Sequence, residues 1–179
     1  MKKQNNLNKL VLSAMFLALA YVFPFITGQV PEIGNMLCPM HIPVILCGYI
    51  CGGPWGLAVG FVTPLLRSLT LGMPALFPKA VSMAFELAVY GFMSGVLYRL
   101  FPKKKIYIYF SLFVSMIAGR AVWGVVQFAC LGFDISKFGF AVFWTEAVIN
   151  AIPGIILQVA LIPVAVMLLE KTKLINKKT

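Results

Sequence analysis

Six apolar stretches follow one another along the chain, at about residues 10–27, 36–51, 56–71, 79–100, 106–131 and 140–169. A helix that crosses a bilayer needs about 20 mostly apolar residues, and the six stretches bracket that length. The breaks between them carry turn chemistry: Gly52-Gly53-Pro54, Gly72-Met73-Pro74 and Gly132-Phe133-Asp134. The pattern predicts an all-α membrane protein, with six transmembrane helices forming a single domain over residues 1–179. The second and third stretches are short for a span, so one of them is expected to tilt little or to be partly re-entrant. The sixth is long and contains Pro153 and Pro163, which predict a kink. The first begins with basic residues like a signal peptide, but no small-x-small cleavage pattern precedes Pro24 and Pro31, so it reads as a retained helix.

Composition narrows the class further. With 61% hydrophobic and 11% charged residues, the chain is too apolar for a soluble domain or a disordered segment. The net charge of +10 does not point to nucleic acid, because the basic residues flank the apolar stretches instead of lining one helix face. Lys2, Lys3 and Lys9 precede the first stretch, Arg99 and Lys103 to Lys105 divide the fourth from the fifth, and Lys171, Lys173, Lys177 and Lys178 follow the sixth. The positive-inside rule puts all three clusters, and with them both termini, in the cytoplasm of a multi-pass cell-membrane protein. No GxxxxGK[ST] loop occurs, so ATP hydrolysis would have to come from another chain. Ser68, Ser82 and Ser94 have no base placed to activate them. Cys38, Cys47, Cys51 and Cys130 read as packing residues, and a lone His41 among scattered cysteines lacks a metal-ligand spacing. No metal and no cofactor is expected.

With both ends inside, residues 28–35, 71–78 and 131–139 form the outer loops. Counting along each helix at about 1.5 Å per residue then gives the depth of the polar groups inside the membrane. Arg67, Glu86, Arg120, Glu146 and Asn150 all fall in the outward-facing half. Each buried charge costs about 2.5–3.5 kcal/mol on insertion scales, so such groups face a partner or a wet cavity. Paired charges that only orient helices would satisfy the same constraint. A binding site accounts for more of the pattern, because Trp123 and Gln127 follow Arg120 at i+3 and i+7, and Tyr90 follows Glu86 at i+4. An aromatic wall with a few convergent polar groups describes a small-molecule pocket. Asn35 and His41 would stand at its mouth, and the glycine-flanked loop 28–35 reads either as a lid or as an ordinary surface loop.

The inward half differs: it carries small residues at four-residue spacing, namely Ala14/Ala18, Gly48/Gly52, Gly56/Gly60 and Gly91/Gly95. Such pairs let another backbone approach closely. The glycine pairs read as packing inside the bundle, whereas Ala14 and Ala18, near the inner surface, read as a place for a separate protein to dock.

The chain resembles the substrate-binding S component of energy-coupling factor (ECF) transporters. The resemblance spans essentially the whole sequence and rests on size, six helices, Ala14-Met15-Phe16-Leu17-Ala18, Pro39-Met40-His41-Ile42-Pro43, Pro64-Leu65-Leu66-Arg67 and Phe85-Glu86-Leu87-Ala88. It implies a non-enzymatic, high-affinity capture subunit for a small water-soluble vitamin or precursor. Its partners would be a membrane T component, docked on Ala14 and Ala18, and two cytoplasmic ATPases. It also implies reorientation within the bilayer and ligand contacts from the outer loops and helices four to six. Two arginines in the pocket would suit a carboxylate such as pantothenate. If both are paired with Glu86 and Glu146, a neutral ring such as pyridoxine or riboflavin fits equally. The alternatives are a stand-alone secondary carrier, for which no inverted repeat is visible, and an intramembrane enzyme using Glu86 and Glu146 as acid and base.

Overall fold

A computed structural model describes residues 2–26, 37–102, 105–134 and 138–171. Among these the protein is helical, with no strand. Helix α1 is Lys2–Ile26, α2 His41–Cys51 and α3 Gly53–Leu71. Helix α4 is Val81–Leu100, led in by a π turn over Leu76–Ala80, and α5 is Lys105–Cys130. The last stretch is divided into a short α-helical piece, Phe140–Trp144, a π turn, Thr145–Ile149, and a long helix, Ile152–Lys171; together these make α6.

Four segments are long and apolar enough to cross a membrane: Asn6–Phe25, Leu76–Leu100, Lys105–Cys130 and Phe140–Leu169. Helix α2 is a shorter apolar helix of 11 residues. At 1.5 Å per residue it rises only about 16 Å, roughly half of a bilayer's hydrocarbon thickness. Its surroundings explain how so short a helix is tolerated. It packs against α1, α3, α4 and α6, and nine of its residues, including His41, Val44, Ile45 and Tyr49, are buried. Lipid matching does not act on a helix that protein surrounds. By contrast, α1 lies at the edge of the bundle: Ser13, Phe16, Ala20 and Pro24 turn inward, while Val11, Ala14, Met15, Ala18 and Val22 are exposed. That inward spacing of three and four residues is the helical period.

Glycine sets the closest approaches. A Cβ on Gly91 of α4 would run into the Gly56 backbone of α3, one on Gly48 of α2 would meet the Gly91 carbonyl, and one on Gly60 would meet the Leu87 carbonyl. The three backbones touch where any larger side chain would separate them. The expectation that the glycine pairs pack internally describes this crossing. Gly52, with φ 105°, is the only residue between α2 and α3, and its amide donates to the Gly48 carbonyl at 3.0 Å. Arg99 at the end of α4 donates to the Cys51 carbonyl at 3.2 Å, satisfying one of the acceptors that a helix end leaves unpaired.

Two boundaries differ from the sequence expectation in ways that bear on the site. Helix α2 begins at His41, five residues after the expected start: Cys38 has φ 47°, and the chain enters through a turn closed by the His41 amide on the Cys38 carbonyl (3.1 Å). The sixth stretch is broken just before Pro153, which cannot donate to the carbonyl four residues earlier. Pro163 sits inside the long helix that follows.

Candidate substrate site

Helices α2, α4 and α5 bring their charged and polar groups to one place. Glu86 of α4 lies with one carboxylate oxygen, Oε1, 3.1 Å from Arg120 Nη1 of α5 and 3.5 Å from His41 Nε2 at the start of α2. Glu86 and His41 are each 1% exposed. Tyr90, one turn along α4 from Glu86, meets the imidazole in a T-shaped contact, with centroids 5.1 Å apart. Its ring fits because the facing residue on α5 is Gly119, where a Cβ would come within 3.0 Å of the aromatic carbons. Arg120 donates its second terminal nitrogen, Nη2, to Cys38 Sγ at 3.7 Å. The turn before α2 therefore touches the guanidinium and the first residue of α2 touches the carboxylate.

The polar seam continues along the α4–α5 contact. Ser82, one turn from Glu86 in the other direction, donates to Gln127 Oε1 at 2.7 Å, and both side chains are buried. Trp123, between Arg120 and Gln127, packs against Phe138 at 5.6 Å and Phe143 at 6.2 Å between ring centroids. The helical phase that puts Arg120, Trp123 and Gln127 on one stripe thus describes a real interface. Ser82 and Cys38 belong to this constellation and were missed from sequence. Ser82 carried a usable signal, since it is four residues before Glu86 on the same face. Cys38 carried none, because its reach to Arg120 depends on a left-handed backbone turn.

Three expected members stand elsewhere. Arg67 is 3% exposed but is held by α1: Nη1 donates to the Tyr21 carbonyl at 2.8 Å, and the guanidinium lies 5.1 Å from the centre of the Phe25 ring. Tyr21 hydroxyl and Thr70 Oγ1, 2.9 Å apart, reinforce the same junction. Arg67 therefore clamps α3 to the end of α1 that contains Pro24, and pairs with no glutamate among the described residues. Glu146 and Asn150 are exposed. The expected single turn between them is a π turn, in which the Asn150 amide donates to the Thr145 carbonyl five residues back, at 2.9 Å. Ala147, not Glu146, is the residue that this segment turns inward. The expected pairing of two arginines with two glutamates reduces to one pair, Arg120 with Glu86, among the described residues. Asn35 and the whole of loop 28–35 lie outside the described residues.

What remains around the ion pair is hydrogen-bonding capacity. His41 Nε2 faces the Glu86 carboxylate, and Nδ1 has no hydrogen-bond partner among the described residues, although the ring is buried. Buried polar groups are seldom left so. The arrangement is chemically suited to holding a polar solute by charge-assisted and neutral hydrogen bonds.

The family model of the ECF transporter substrate-specific component matches residues 8–166. No curated protein and no solved structure matches the chain.

Proposed function

The chain belongs to the family of ECF transporter substrate-specific components, and from that premise we propose that it captures a small water-soluble vitamin or vitamin precursor at the Glu86–Arg120–His41 site for import across the cell membrane. The observation that carries the reading is the buried ion pair with an imidazole beside it, assembled from three helices of a multi-pass membrane protein. Charges at such depth are retained where they hold a partner or a solute. Tyr90, Trp123 and Gln127 extend the site along the α4–α5 seam. Asn35, Glu146 and Asn150 belong to this reading as more peripheral contributors, whereas Arg67 braces α3 against α1.

In this reading all six apolar stretches cross or enter the bilayer with both termini in the cytoplasm, as the three basic clusters require. Ala14 and Ala18, both exposed on α1, form the flat strip against which a membrane T component docks, and two cytoplasmic ATPases supply the energy. The chain binds its ligand and returns it unchanged, so it is not an enzyme. Mass spectrometry of the small molecule released from purified protein tests this directly. A vitamin-sized compound recovered intact is the expected result. A chemically altered product, or sustained uphill uptake by the chain alone in liposomes under a proton or sodium gradient, would overturn it.

A further inference from the structure

We propose that α2, α5 and α6 enclose a second polar site, apart from the ion pair, at which the side-chain carbonyl of Gln158 holds a water molecule. The proposal does not depend on the capture reading above.

Gln158 is the polar member of the face that α6 turns inward. Ala151, Gly154, Gln158, Ile162 and Val166 are buried, at spacings of three and four residues that keep them on one side of the helix. Helix α6 packs against α2 and α5, so protein and not lipid encloses this face. Gln158 is 2% exposed, and its Oε1 has no hydrogen-bond partner among the described residues. A buried carbonyl without a donor is costly and is seldom retained.

Register gives the level of the amide. Phe143 packs on Gly124, and α5 and α6 run in opposite directions away from that contact. Gln158 lies 15 residues after Phe143 and Ser111 lies 13 residues before Gly124. Counting at about 1.5 Å per residue brings Gln158 within about one turn of the level of Ser111. That level is already polar, and it is short of protons. The Tyr49 hydroxyl of α2 lies 2.7 Å from Ser111 Oγ and 3.1 Å from the Ile108 carbonyl, and Ser111 Oγ is 3.0 Å from the same carbonyl. Two hydroxyl protons serve these three contacts, so neither is spare. Ser115 donates its own to the Ser111 carbonyl at 2.6 Å.

A water molecule supplies what is missing, because it can donate to Gln158 Oε1 and to an oxygen of the Tyr49–Ser111 pair at once. Ala151 and Gly154, the buried residues that precede Gln158 on the same face, add little bulk beside it. Ser111 is nine residues along α5 from Arg120, about 14 Å, so this site is separate from the Glu86 cluster. Solvent thus completes the polar contact of α6 with α2 and α5.

The test is water-edited solid-state NMR on the full chain in lipid bilayers, with glutamine side chains labelled with nitrogen-15. The Gln158 signal is identified by its loss in Gln158→Leu or, should that variant not fold, in Gln158→Asn. Rapid transfer of magnetisation from water to the Gln158 amide is expected, although the side chain is closed to bulk solvent. Absence of that transfer overturns the proposal. Gln158→Leu should also lower the melting temperature by about 2–4 °C, the shift that one lost hydrogen bond makes. A melting temperature at or above that of the native chain would show a carbonyl that was bare, and would overturn it equally. Stabilisation by sodium chloride but not by choline chloride, present only while Gln158 is intact, would put a cation there in place of water and would also overturn it.

Discussion

Helix α4 passes through two environments within about three turns. Around Glu86 it faces a carboxylate–guanidinium pair, an imidazole and a tyrosine ring, and hydrogen-bonding groups are left over. Around Gly91 and Gly95 it lies backbone against backbone with α2 and α3, and there is no room even for a methyl group. The same helix is thus polar and incompletely satisfied at one level, and apolar and close-packed at the next. Packing of the second kind fixes where helices stand. Against that fixed frame the first region can keep a costly charge pair in register, because the frame and not the pair sets the helix positions.

The largest effect should come from the frame. Gly91→Leu drives a side chain into the Gly56 backbone, which cannot yield as a flexible side chain would. A loss of about 3 kcal/mol or more is expected, seen as failure to recover monodisperse protein. Normal yield and melting temperature would show that the crossing is looser than its geometry. Next is the charge pair. Glu86→Gln leaves Arg120 buried without its counter-ion, at about 3–5 kcal/mol. Glu86→Leu combined with Arg120→Met should recover most of that stability without recovering ligand binding. If the double variant binds normally, the pair serves only to orient helices.

A smaller effect separates the two arginines. Arg67→Met strips the donor from the Tyr21 carbonyl and should cost about 1–3 kcal/mol in thermal unfolding. Ligand affinity should stay within about twofold if the clamp is structural. A loss of binding as large as that of Arg120→Met would return Arg67 to the site. The smallest effect on the chain itself is expected from Ala14→Leu with Ala18→Leu. Both residues are exposed, so stability should move by no more than about 0.5 kcal/mol. ATP-driven uptake by the assembled complex should nevertheless fall.

How much of this was legible beforehand follows from what each feature depends on. The helices, the glycine crossing and the stripe Arg120–Trp123–Gln127 depend on period and residue size, which a sequence displays directly. That Glu86 and Arg120 share one level followed from depth, since opposite charges in a medium of low dielectric seek each other, but depth did not say which arginine meets which glutamate. Depth alone could not assign Arg67, because a backbone carbonyl near Pro24 competes with a carboxylate for the same donor, and main-chain acceptors carry no residue signature. Glu146 and Asn150 depended on an unbroken α-helical phase. One π turn ahead of Pro153 was enough to turn that segment so that Ala147 faces inward. Cys38 entered through its backbone conformation, which neither hydropathy nor spacing reports.

The single-residue connection at Gly52 has a mechanical consequence. With a positive φ that only glycine adopts freely, with the Arg99 guanidinium occupying the space beside it, and with Gly91 and Gly95 seated against its two helices, this junction has no slack. Helices α2, α3 and α4 are thereby braced together at the Gly52 end, and His41 and Glu86 stand on two members of that braced set.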